Sequence, residues 1–312
     1  MTPIRRLTLL APVLLLLAAC AGTPTRLPPG PPPVTLDNTA MHTVTDTGTG
    51  RSYPVWVDLP ASYAQHPERR YPVLFTTDAQ WAFPIIRGVR TLMGRGGKRF
   101  EDFILVGLPP QQGLSARDSR SRDYTPTDPR QRAGFDPRDY EAPLYGQAER
   151  WREVIEQQVF PLIASHYRAD MQRKVYAGHS YGGLFGSYVL LSKPAMFEKY
   201  ILGSPSFWFD QGHIFDIEAG YAARHDDLPA QVMMYIGGYE QPGEHPRSAG
   251  PGGKDMVGDV QRFAQVLRSR GYPGLQVGYD VVPEEDHGSV YPVFIARALV
   301  WALPGSDPQA GD

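Results

Sequence analysis

A chain of 312 residues, 42% hydrophobic and 21% charged, is long enough to bury a substantial core and suits one sizeable α/β domain. A formal net charge of −2 gives no basis for holding nucleic acid by bulk electrostatics. A single cysteine excludes an intrachain disulfide, and 32 glycines with 31 prolines imply many turns and long loops.

Residues 1–20 read as an export signal. Arg5 and Arg6 supply its positive charge, and the apolar run from Leu7 to Ala19 is too short and too interrupted by proline for a good membrane span. The run ends in Leu17-Ala18-Ala19-Cys20, which resembles the bacterial lipoprotein box. That resemblance implies a Cys20 that is diacylated, becomes the mature N-terminus and anchors the protein to a membrane. Ala21, where an aspartate would mark inner-membrane retention, favours the outer membrane with the protein facing the periplasm. Residues 21–40 form a tether, Pro-rich from Thr23 to Pro33. The folded domain is expected over residues 41–304.

His42–Thr47 and Tyr53–Leu59 alternate around Gly48-Thr49-Gly50 and predict an antiparallel hairpin. Tyr71–Thr77 reads as the first fully buried strand. Trp81–Met93 is a helix candidate interrupted by Pro84 and Gly88, and Phe103–Leu108 is a short apolar strand. Residues 111–147 form a long excursion with little apolar periodicity, the length of a functional loop or lid. Its arginines (Arg117, Arg120, Arg122, Arg130, Arg132, Arg138) interleave with aspartates, the pattern of a self-compensating solvated loop. Alternatively one or two of these arginines, Arg122 among them, face a cleft and hold an anionic substrate. Glu149–His166 is an amphipathic helix. Lys174–Ala177 is a strand, Gly183–Leu191 a helix, Tyr200–Leu202 a strand and His213–Arg224 a helix. Gln231–Ile236, Met256–Arg268, Leu275–Val282 and Tyr291–Leu303 continue as strand, helix, strand and helix. This alternation predicts a mostly parallel sheet with helices on both faces, with ligands beyond the C-terminal strand ends.

The chemistry centres on Gly178-His179-Ser180-Tyr181-Gly182, placed between a strand and a helix. In that setting the turn is too tight for a Cβ at either flanking glycine, and the serine hydroxyl projects from a strained backbone. The Tyr181 N–H then opens a helix and can stabilise charge growing on a carbonyl oxygen. A serine needs a base, and the base an orienting partner. His287, after the last strand, is the best base; His213 and His245 are its rivals, while His179 is expected to point away along the turn. Glu240, just past the strand Gln231–Ile236, is the candidate acid, with Asp255 and Asp259 as alternatives and a serine–histidine dyad as another. The second oxyanion donor is expected from the Gln80 N–H, with Ala79 as the alternative. Trp81 and Trp208 follow strand ends and are candidate walls of the substrate site. No metal-type spacing of His and acid appears, so neither metal nor other cofactor is expected.

With these residues in place, the chain resembles the "putative esterase" family of α/β-hydrolases, in particular its branch of periplasmic siderophore (enterobactin-type trilactone) esterases. The resemblance covers roughly Met41 to Leu303. It rests on Arg51-x-Tyr-x-Val-x-Val-x-Leu-Pro60, on Tyr71-Pro-Val-Leu-Phe-x-x-Asp-Ala-Gln80, where Ala79 replaces a usual glycine, and on Arg122-Asp-Tyr-Thr-Pro126. Ala177-Gly-His-Ser-Tyr-Gly-Gly-Leu-Phe185, Gly203-Ser-Pro-Ser206 and Glu285-Asp-His-Gly-Ser289 complete it. It implies an α/β-hydrolase fold with Ser180 as nucleophile, His287 as base and Glu240 in the place of the acid. The implied activity is hydrolysis of a carboxylic ester through an acyl-enzyme. The substrate would be a small-molecule ester, such as a ferric siderophore trilactone or a related bulky ester. A feruloyl-type aryl or acetyl esterase, an acyltransferase and a non-catalytic siderophore- or glycan-binding protein on the same scaffold are the alternatives.

Overall fold

Alternating residues build an opening hairpin from β1 (Thr39–Thr45) and β2 (Ser52–Asp58), with Thr39 opposite Asp58 and Thr45 opposite Ser52. The remaining strands are β3 (Tyr71–Thr77), β4 (Ile104–Leu108), β5 (Ala169–His179), β6 (Lys199–Gly203), β7 (Ala230–Gly237) and β8 (Leu275–Val282). They form one 8-stranded sheet ordered β1-β2-β4-β3-β5-β6-β7-β8. The β1/β2 and β2/β4 pairs are antiparallel and the others parallel. The computed structural model describes residues 34–137, 140, 142–243, 245–248 and 253–307. Cys20 with the export signal, most of the tether, Arg138 and Asp139 lie outside the described residues.

Helices connect the strands: α1 (Ala79–Met93), α2 (Ala116–Asp123), α3 (Ala148–Val154), α4 (Phe160–His166), α5 (Tyr181–Ser192), α6 (Phe209–Ala222), α7 (Met256–Ser269) and α8 (Val290–Ala302). The period-2 geometry of a strand sends alternate residues to opposite faces. Val73, Phe75, Tyr176, Tyr200 and Leu202 join a core with Trp151, Ile163, Phe185, Ile214 and Phe263, the face covered by α3 to α7. Leu74, Val175, Ala177 and Ile201 join a second core with Phe83, Ile86, Phe294 and Leu299, covered by α1 and α8. Both faces of the sheet are therefore buried, and the α/β-hydrolase architecture expected from the sequence is the one observed.

The long excursion departs from its expected form. Within it, α2 is capped by the Ser115 hydroxyl, which accepts from the Asp118 N–H, and Ser119, Ser121, Arg122 and Asp123 are buried. This part of the excursion is a helix with Arg122 and Asp123 buried as a pair while Arg117 stays exposed, so it packs without the apolar periodicity that would reveal it. The helix α1 is continuous through Pro84, because Pro84 is exposed and the carbonyl it leaves unpaired, at exposed Gln80, can face water. A π turn, Ile155–Val159, joins α3 to α4 where one uninterrupted helix was expected.

Candidate active site

The end of β5 and the start of α5 meet at Ser180, whose backbone is held at φ 60°, ψ −119°. Such a conformation is costly for a residue with a side chain and persists only where its surroundings impose it. Here the Ser180 N–H donates to the Gly203 carbonyl at 2.9 Å, and the Ser180 carbonyl accepts from Leu184 and from Ser206. The flanking glycines are sterically required. A Cβ on Gly178 would strike the Gly182 carbonyl, and one on Gly182 would lie 2.5 Å from Thr77 Oγ1. The side chain of Ser180 meets Ser206 Oγ at 3.3 Å.

Past the end of β7, Glu240 turns back under the sheet edge with only 1% of its surface exposed. Its Oε1 accepts from Ser204 Oγ at 2.6 Å and from the Gly237 N–H at 2.9 Å. That leaves Oε2 for His287 Nδ1, at 2.6 Å. A carboxylate accepts only, so the Nδ1 nitrogen carries the proton and Nε2 is left with a lone pair. The structure thus brings together Glu240 and His287, the two residues singled out in the sequence as candidate acid and base. The rivals are engaged elsewhere: Asp255 caps α7 through the Gly258 N–H, and His213 pairs with Asp216 and Arg132. His245 stacks on Tyr239, with ring centroids 4.1 Å apart. Asp259 lies in the first turn of α7, where burial and the neighbouring Asp255 raise its pKa.

His179 does not point away. Its Nε2 lies 2.9 Å from the His287 carbonyl oxygen, so Nε2 donates, and its ring packs 4.6 Å from that of His287. Burial, with the adjacent His287 ring, pushes its pKa well below the ordinary imidazole range. His179 therefore packs against His287 and holds its backbone carbonyl, with burial favouring the neutral ring. Trp81 stands edge-on to both His179 and Tyr291, with centroids at 5.9 and 4.7 Å. Trp208 flanks the Tyr181 ring at 6.1 Å and has the Lys254 ammonium 5.5 Å over its face.

On the opposite lip, α1 begins at Ala79 behind Asp78, whose backbone is left-handed (φ 51°, ψ 42°). The first bonds of the helix run from the Trp81 and Ala82 N–H groups to the Asp78 carbonyl. Ala79 and Gln80 precede them, at the helix end where N–H groups have no intrahelical acceptor. Arg122 is not at this lip. Only 2% exposed, it forks onto Asp123 at 2.7 and 2.8 Å and donates to the Tyr53 hydroxyl, so it belongs to the core, not to a substrate site. The arginine that reaches the site is Arg120, two residues earlier and on another face of α2; it pairs with Asp78. Ser204, Ser206 and His179 escaped the sequence reading as site residues, and Arg120 was there only one of several loop arginines of which one or two were expected to face a cleft. The Gly203-Ser-Pro-Ser206 motif and the charge-rich run around Arg120 were their only signals.

The fold, with Ser180 on a strained turn between β5 and α5 and the hydrogen-bonded His287–Glu240 pair beyond the strand ends, is that of an α/β hydrolase. A family model described as "Putative esterase" matches residues 47–244, and the chain belongs to that family and to the carboxylic ester hydrolases. It is 27% identical to the ferri-bacillibactin esterase BesA of Bacillus subtilis, over 88% of this chain and 93% of the relative. An IroE-like serine hydrolase from Shewanella oneidensis superposes with a TM-score of 0.70 at 25% identity, covering 84% of this chain and 79% of the other. The siderophore hydrolase EstB from Aspergillus nidulans shares the fold with a TM-score of 0.72 at 22% identity, over 88% and 98%.

Proposed function

We propose that this esterase cleaves the ester bonds of a siderophore trilactone, or a similarly bulky ester, through an acyl-enzyme on Ser180. In this reading Ser180 Oγ attacks the ester carbonyl while His287 Nε2 takes its proton. The N–H groups of Tyr181 and Gln80 hold the resulting oxyanion. His287 returns the proton to the departing alkoxide, leaving an acyl-serine and a free alcohol. Water, deprotonated by His287, then attacks the acyl-serine and releases the acid, and the proton goes back to Ser180. Glu240 keeps the imidazole in the required tautomer and stabilises its cation.

The observation that carries this reading is the 2.6 Å bond between His287 Nδ1 and a Glu240 carboxylate whose other oxygen is already saturated. That bond turns Nε2 into the base, in a fold where the elbow serine is the expected nucleophile. The siderophore assignment is supported by relatives whose names state such substrates, among them the ferri-bacillibactin esterase. The export signal and Cys20 extend the proposal: a lipid-anchored protein on the periplasmic side of the outer membrane, placed where an imported ferric chelate would arrive.

The test begins with a fluorophosphonate probe and peptide mass spectrometry. An adduct on Ser180 that disappears in His287→Ala is expected. Incubation with a ferric trilactone should then release linear trimer, dimer and monomer. No adduct where a control esterase is labelled would remove the mechanism; an adduct without trilactone cleavage would remove the substrate.

A further inference from the structure

Arg120 lies on α2, sixty residues before the nucleophile, yet it touches both sides of the cleft. Its Nε and Nη2 donate to Asp78 Oδ1 and Oδ2 at 3.0 and 3.2 Å, a two-point fork. Its Cζ stands 5.2 Å from the centroid of the Tyr181 ring and 5.9 Å from that of Tyr124. Tyr124, the residue that ends α2, adds a second grip, since its hydroxyl accepts from the Asp78 N–H at 3.3 Å. So one short helix holds Asp78 by carboxylate and backbone together, and holds Tyr181 by its ring.

Those two residues mark the two halves of the oxyanion site. Asp78 directly precedes Ala79 and Gln80, and Tyr181 directly follows Ser180. The two halves follow the ends of the paired strands β3 and β5, whose ladder runs to Thr76 and Ala177, so the strands set their approach but each turn beyond the ladder still needs holding in place. Asp78 also sits in the left-handed region, which aspartate tolerates better than most residues with a Cβ but which is still less stable than the right-handed one, so the contacts around it help to hold it there. We infer that Arg120 is a positioning residue, which clamps the Asp78 turn to Tyr181 and so sets the geometry of the two oxyanion donors. Both carboxylate oxygens of Asp78 face its guanidinium, so its charge is compensated within the protein and it does not act as a free anchor for an anionic substrate. The inference rests on the proposed roles of Ser180, Tyr181 and Gln80.

A misplaced oxyanion donor costs turnover more than binding: loss of one donor lowers kcat by about 10²–10³, and displacements near 1 Å by about 10². Arg120→Met keeps an aliphatic stem over Tyr181 and loses the fork. It should lower kcat for a p-nitrophenyl ester by roughly 10- to 100-fold, with KM within about threefold. Fluorophosphonate labelling of Ser180 should slow by the same factor. Arg120→Lys, with charge but no planar fork, should recover part of the rate. Combining Arg120→Met with Asp78→Asn should cost little beyond the worse single change, because both break one contact. An arginine of purely structural value would lower the melting temperature and leave kcat per titrated active site unchanged, and that result overturns the inference. A raised KM with unchanged kcat overturns it too, by making Arg120 a substrate contact. If Met and Lys variants label as fast as wild type, Arg120 has no part in the oxyanion site while Ser180 keeps its role. If wild type itself does not label, the reading of Ser180 fails and takes the inference with it.

Discussion

Glu240 shows how little freedom the catalytic residues have. Its Oε1 is occupied by Ser204 Oγ and the Gly237 N–H, so Oε2 alone faces His287. In Glu240→Gln the amide must set its NH₂ against those donors or against the His287 Nδ1–H. In the first case a donor meets the Gly237 N–H; in the second the imidazole must carry its proton on Nε2, which is then no base; and in both the carboxylate charge that stabilises the imidazolium is gone. The expected fall in kcat is roughly 10³- to 10⁴-fold, with the fold intact by circular dichroism. Ser180→Ala should cost on the order of 10³ or more, and the double variant should be no worse than the poorer single, as residues acting as one unit are not additive. His179 makes a pH prediction. Burial and the His287 ring hold its pKa well below the imidazole range, so it takes no proton in the folded state in mild acid. Unfolded, it binds one below about pH 6.5. The unfolded state then carries more protons, so stability rises with pH and is lost as pH falls below that value. The slope reaches about 1.4 kcal/mol per pH unit while the folded ring stays neutral. His179→Gln keeps a donor for the His287 carbonyl and has no such proton. Urea denaturation from pH 7 to 5 should show a slope shallower by up to that amount; equal slopes would mean that His179 is not the group responsible.

Among the elements, α2 best separates what the sequence discloses from what it hides. Strand β3 has the bounds that its apolar run predicts, because a strand buried on both faces reads as a continuous hydrophobic segment, and β8 has its expected bounds although it is only partly buried at the end of the sheet. Strand β5 extends further back than its apolar core, to Ala169, since its first half is less buried. Ser180, Glu240 and His287 were legible for a related reason: each follows a strand end, where such a sheet binds ligands. By contrast, α2 buries Arg122 and Asp123 against each other, with Ser119 Oγ as a further donor, so its interior is charged and carries no periodicity. The start of α6 is equally opaque. Asp210, Gln211 and Gly212 are all left-handed, and Asp210 is held by Thr127 Oγ1 at 2.5 Å from across the chain. His179 and Ser204 act through partners far away in sequence, and no local pattern announces that. The buried pair in α2 makes its own prediction. Arg122→Met leaves Asp123 in the core without its cation, and one-sided loss of a buried pair costs about 3–5 kcal/mol. Chemical denaturation should show a loss of that size, while kcat per titrated active site stays at the wild-type value. A lowered kcat with normal stability would return Arg122 to the substrate site.

At the scale of the whole molecule, the proposed catalytic residues and the proposed membrane address lie in separate parts of the chain. The compact unit that contains the sheet begins at Asn38, and every proposed catalytic residue lies within it. The proposed export signal, Cys20 and the proline-rich stretch precede it in sequence. A net charge of −2 gives no general electrostatic attraction to an anionic bilayer, so the proposed membrane attachment depends on Cys20. Lipid arithmetic makes that dependence sharp. One fourteen-carbon chain gives only marginal, reversible binding, with a constant of about 10⁴ M⁻¹, whereas two or more chains hold a protein stably. A diacylated Cys20 meets the second condition and an unmodified serine meets neither. Expressed in a bacterium with lipoprotein processing, the full chain should sediment with membranes through a carbonate wash and yield to detergent. Cys20→Ser should move it to the soluble periplasmic fraction, and mass spectrometry should find the lipid on the Cys20 peptide of the wild type only. The released protein should hydrolyse a soluble ester with unchanged kcat and KM, because every proposed catalytic residue lies within the unit that begins at Asn38. A Cys20→Ser protein that still sediments would mean that another part of the molecule binds the membrane, and the anchor proposal would fall while the catalytic one stood.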